Sequence, residues 1–122
     1  MPRKTPLDRV RALCMALPEV TERPSHGAPT WFIAGKKTFL TFHSDHHGDG
    51  ILGFWCAAPP GVQQELVSEE PERFYRPAYV GGRGWLGVRL DRGPDWNEVA
   101  EIVEDAYRTV APPKYLKLLD AR

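Results

Sequence analysis

The sequence predicts an α+β fold, in two layers with helices packed on an antiparallel sheet. Three observations lead there: apolar residues at helical spacing near both ends, a middle region of short β-branched and aromatic runs, and twelve prolines and eleven glycines that imply many turns. The expected order is one helix, three or four strands, a helix, one or two strands, and a helix. A chain of 122 residues suits one domain, here 1–122, that buries roughly two thirds of its unfolded surface.

The first helix starts at Thr5, with Pro6 in its first turn and an acidic Asp8 to satisfy free amides. Leu7, Val10, Leu13, Cys14 and Leu17 recur at helical spacing, and Pro18 marks the stop. From Thr21 to Ala57 the pattern becomes strand-like. Trp31 to Ile33 and Thr38 to Phe42 flank an Ala34-Gly35-Lys36-Lys37 turn and form a hairpin with two lysines at or beside its tip. After a polar loop from Ser44 to Gly50, Ile51 to Ala57 is apolar on both alternating faces and reads as a central strand.

Pro59, Pro60 and Gly61 end that strand. Val62, Leu66 and Val67 then mark a short helix that finishes before Pro71. Trp85 to Leu90 resumes strand character, with Leu86, Val88 and Leu90 as the core set and Trp85, Gly87 and Arg89 on the other face. Asp95 and Glu98 read as the clearest capping box. Behind them Trp96, Val99, Ile102, Val103, Ala106, Tyr107 and Val110 hold helical spacing until Pro112 and Pro113, which leave a basic, leucine-containing tail from Lys114 to Arg122.

Sixteen basic residues balance sixteen acidic ones, so any contact with an anionic partner must come from local patches rather than a global field. No apolar stretch approaches the roughly 20 residues of a membrane helix, and no apolar signal core follows the basic N-terminus. The expectation is a cytoplasmic protein without a membrane partner. Cys14 and Cys56 lack any CxxC spacing and read as buried, reduced thiols.

The densest motif is Arg76 to Leu90, RPAYVGGRGWLGVRL. Gly82, Gly84 and Gly87 match GxGxxG, but a dinucleotide fingerprint needs a helix to open behind its glycines, and here a strand follows. The glycines therefore read as a tight turn, with Gly87 admitting a backbone or large side chain; no cofactor is expected. His43, Ser44, Asp45, His46, His47, Gly48 and Asp49 offer imidazoles and carboxylates, which make this loop the best metal candidate, although HExxH is absent and an EF-hand frame from Asp45 would place Cys56 at the bidentate Glu position. Adjacent His46 and His47 are expected to point apart. No base is placed beside Cys56, and the adjacent Ser25 and His26 do not form a pair by themselves, so no catalytic residue is assigned. Lys36 and Lys37 on one projection, and Arg76, Arg83, Arg89 and Arg92 around another with Tyr79 and Trp85 between, offer cations for phosphates and rings for stacking.

Leu17-Pro18-Glu19-Val20, the Trp31 to Phe42 hairpin, Tyr79 to Leu90 with its Gly-Trp, and Ala106-Tyr107 to Val110-Ala111 together give the chain a resemblance to the MmcQ/YjbR-like proteins. The resemblance spans nearly the whole chain. It implies a cytosolic helix-on-sheet fold and a double-wing DNA-binding role, and it brings no catalytic residues. This chain departs in having Gly81, Gly82, Arg83 and Gly84 where relatives are more polar, so Arg83 is the one charge at that turn. The expected function is thus non-enzymatic DNA binding through Lys36, Lys37, Arg76, Arg83 and Arg89. The alternatives are a protein-interaction or homodimer module built on Tyr75, Tyr79 and Trp85, and a metal-dependent enzyme built on His43 to Asp49.

Overall fold

In the computed structural model, which describes residues 4–122, the chain opens with helix α1 (Pro6–Met15). Met1 to Arg3 of the expected domain lie outside the described residues. A reciprocal capping box fixes the start of α1: the Thr5 hydroxyl accepts from Asp8 N–H and the Asp8 carboxylate accepts from Thr5 N–H, each at 3.1 Å. The N-cap expected at Asp95 also forms, on the amides of Asn97 and Glu98, but the reciprocal half does not. Glu98 turns instead to Arg73 at 2.7 Å, so the complete box lies at the first helix and not the third.

Six strands follow, β1 (Val20–Ser25), β2 (Ala28–Ile33), β3 (Lys37–Ser44), β4 (Leu52–Cys56), β5 (Phe74–Tyr75) and β6 (Leu86–Arg89). They form one antiparallel sheet in the order β1-β2-β3-β4-β6-β5. Pro24 is tolerated because β1 is an edge strand. The remaining helices are α2 (Val62–Glu69), α3 (Trp96–Val110) and α4 (Pro113–Asp120). The expected α+β architecture is therefore present, with one added element. The tail from Lys114 is helix α4: Pro113 stands at its first turn, where no N–H is needed, and Leu119 buries against the core.

Residues paired across strands share a face of the sheet. Leu40, Cys56 and Leu86 form one row and Phe42, Phe54, Val88 and Phe74 another, all buried on the side that carries the helices. Leu86, Val62 of α2 and Ile102 of α3 line one small cavity there. Between β2 and β3 the register slips at Trp31/Phe32 and leaves Phe39 as an extra residue. That bulge buries Phe39 beside Leu40 and sets it edge-on to Tyr107 of α3 at 5.7 Å. The Tyr107 hydroxyl donates to Pro18 O at 2.8 Å, which ties α3 to the segment behind α1.

The opposite face carries a different set: Thr41, Trp55, Gly87 and Tyr75 in one row, His43, Gly53 and Arg89 in the next. Gly87 is glycine for a steric reason. A Cβ there would meet the Tyr75 ring at 2.5 Å, so the aromatic ring lies directly on the bare backbone, as the sequence predicts for this position.

Candidate nucleic-acid interface

Strand direction decides which basic residues come together. Both β3 and β6 run antiparallel to β4, so they run parallel to each other, and Leu40 and Leu86 stand level because each pairs with Cys56. The turn before β3 holds Lys36, with Lys37 opening the strand; the turn before β6 holds Arg83. Both turns therefore lie at one end of the sheet, separated by two strand spacings, on the order of 10 Å. Lys36, Lys37 and Arg83 are exposed, and none has a carboxylate partner among the described residues.

The glycine segment is a single 3-10 turn, Gly81–Arg83, closed by Gly84 at φ +83 before β6 begins. No helix opens behind it, so the GxGxxG match has no pyrophosphate cradle. Its anchor is Gln63, a buried side chain of α2 whose amide donates to Gly81 O at 2.9 Å and to Trp85 O. Arg83 extends over the Trp85 ring at 5.5 Å, and Arg76 lies along Gly81 and Gly82 with no carboxylate partner among the described residues. A Cβ on Gly81 would strike the Arg76 chain at 2.6 Å, so that glycine is what lets Arg76 fold across the turn.

Arg89 is placed differently. It pairs with Gly53, at the end of the sheet remote from Lys37, and its guanidinium grips Asp91 in a two-pronged pair at 3.0 and 2.9 Å. That pairing holds the Asp91 carboxyl below its ordinary value. One cation that periodicity gave no sign of joins the lysine end: Arg23 of β1 lies over the Phe32 ring at 3.8 Å and donates to Gly35 O at 3.1 Å. Only the pairing of β1 with β2 brings it there.

Trp85, just before β6, is buried at 6% exposure, which removes it from any exposed aromatic patch. Tyr75 is half-buried, and its hydroxyl accepts from Trp55 Nε1 at 3.0 Å; burial pushes its pKa up to about 12. Tyr79 alone of the three is fully displayed, at 81% exposure.

The histidine loop folds back onto the same face. His43 lies 3.9 Å from the Trp55 ring, His46 lies 4.8 Å from both His43 and Trp55, and His47 lies 4.1 Å from His46. His46 and His47 thus touch edge to face rather than pointing apart, because Asp45 and His47 both take left-handed backbone conformations, φ +57 and +51. Among the described residues no three His, Cys, Asp or Glu side chains converge as a metal-binding group. The exposed Asp45 and Asp49 carboxylates close the loop locally, accepting from the amides of Gly50 and Ile51. Cys14 and Cys56 are buried free thiols whose pKa burial raises, the condition of an inert core thiol.

Comparison with known proteins rests on this geometry. A crystal structure of Deinococcus radiodurans protein DR2400, with a DUF419 domain, is similar with a TM-score of 0.73, covering 98% of this chain and 91% of that one. Its sequence identity is 19%, so the likeness is one of fold. A search of curated proteins finds no match. The YjbR family model matches residues 15–109, a span holding the sheet, the glycine turn and nearly all of α3. The segments that carry the resemblance, Leu17 to Val20, the β2–β3 hairpin, the Gly-Trp turn and Ala106-Tyr107, fall within that match, with Val110-Ala111 just beyond its end, and the chain belongs to the YjbR family.

Proposed function

We propose that this chain is a non-enzymatic DNA-binding protein that takes phosphates at the end of the sheet carrying the β2–β3 tip and the glycine turn. The observation that carries the reading is the shared direction of β3 and β6, which sets Lys36 and Lys37 beside Arg83 across β4. A separation on the order of 10 Å lets the two projections reach phosphates on either side of a groove. Arg76 and Arg23 flank the two turns and add charge with no carboxylate partner among the described residues. Because the chain is neutral overall, attraction must come from a local patch such as this one rather than from a global field.

Titration of a labelled duplex at low salt tests the reading. Wild type binds; a Lys36→Ala, Lys37→Ala, Arg83→Ala triple variant binds at least tenfold more weakly; and Arg89→Ala, which removes a cation already held by Asp91 at the remote end, binds as wild type does. Absence of wild-type binding, or equal binding by wild type and the triple variant, overturns it.

A further inference from the structure

We infer that Tyr79 and His46 form a stacking site for one unpaired nucleobase, with Arg76 and Arg83 taking its flanking phosphates; this rests on the reading of the chain as a DNA-binding protein. Tyr79 is 81% exposed on a backbone at φ +62, a conformation that bulky side chains rarely adopt. Strain of this kind persists where the surroundings impose it, and here they do. The turn is pinned on both sides of the ring, by Gly81 N–H donating to Pro77 O at 3.0 Å and by the buried Gln63 amide holding Gly81 O. The ring is therefore presented on a fixed support rather than left on a loose loop.

Its neighbour is equally well held. His46 lies with its ring centroid 6.1 Å from that of Tyr79, nearly perpendicular, and is itself packed on Trp55 and His43. A base laid on the open face of Tyr79 has the His46 imidazole at its edge, a group able to donate or accept a hydrogen bond. Arg76 and Arg83 are three and four residues away, exposed, and without carboxylate partners among the described residues. Asp45 and Asp49 each hold a carboxylate oxygen on an amide of their own loop, accepting from Gly50 and Ile51.

Charge selects the occupant. Of the described residues, the other exposed large hydrophobics are Met15 on α1 and Leu118 on α4, so Tyr79 is a single ring among arginines and not part of an apolar patch that a protein partner would cover. A base inside a duplex is already stacked on both faces and offers Tyr79 nothing. A single strand or a bulge offers a free face.

The test uses 2-aminopurine as the reporting base, placed in a single strand, as a one-base bulge, and within a fully paired duplex. Wild type binds the bulged and single-stranded probes several-fold more tightly than the duplex and quenches their fluorescence. Tyr79→Ala weakens binding to the bulge about tenfold and abolishes quenching while leaving duplex affinity unchanged, and Tyr79→Phe behaves as wild type. Duplex binding with no preference for the bulge, or equal loss on bulge and duplex in Tyr79→Ala, overturns the stacking site alone. Failure to bind any of the three probes overturns both the site and the DNA-binding reading.

Discussion

His43 has its Nε2 sealed from solvent, with no hydrogen-bond partner among the described residues, against the Trp55 ring. Burial, and then the neighbouring His46, push its pKa down to about 4; Asp49 acts in the opposite direction and His47 in the same one. In the unfolded chain the imidazole titrates near 6.5. The unfolded state therefore binds the extra proton first, so the contribution of neutral His43 is complete above about pH 6.5 and is lost as pH falls toward 4. Because the ring is only half-buried and solvent screens the effect, His43 should contribute a loss of at most about 1 kcal/mol in urea unfolding between pH 7 and 5, and His43→Gln should flatten that dependence. Gly87 gives a second test at this scale. Gly87→Ala must displace the Tyr75 ring and with it the bond from Trp55 Nε1, at a cost of about 1–3 kcal/mol; a melt unchanged from wild type would contradict the account. The two residues differ in how visible they are beforehand. Gly87 is readable from sequence because a glycine inside a strand pattern asks what approaches it, whereas the burial of His43 depends on a loop returning over Trp55, which no local spacing encodes.

Elements were legible where a single helix or strand carries its own pattern. The apolar spacing of α3 and the hairpin of β2 and β3 follow directly from residue order. Two features depart from what residue order predicts, for a common reason: each signal has two meanings. Pro112-Pro113 ends one helix, yet Pro113 also suits the first turn of α4. Glu98 stands at the right position to complete a capping box, yet Arg73 lies within reach and takes its carboxylate. The link between α2 and the glycine turn was wholly hidden, because Gln63 is an ordinary polar residue until the fold buries it. Gln63→Ala leaves Gly81 O and Trp85 O without their donor and should cost about 1–3 kcal/mol. Hydrogen exchange at the amides of Arg83 and Gly84, which bond within that turn, should accelerate more than exchange in β1. Uniform acceleration across the sheet would mean that Gln63 does not anchor the turn specifically.

At the scale of the molecule, a neutral chain places uncompensated cations at one end of its sheet. The residues were visible in the sequence; their grouping was not. Periodicity placed Arg83 and Arg89 near one strand, but register puts them at opposite ends, Arg89 paired with Asp91 and Arg83 beside the lysine tip, and it brings in Arg23 from β1. This grouping is what the DNA-binding reading depends on. Its most direct measurement is the slope of log binding constant against log salt for a labelled duplex, wild type beside the Lys36→Ala, Lys37→Ala, Arg83→Ala variant. Each phosphate contact contributes about −0.9 to the slope, so the account predicts a steep wild-type dependence that becomes shallower by about 2–3 in the variant. A wild-type slope near zero, or a slope that the three substitutions leave unchanged, would contradict it.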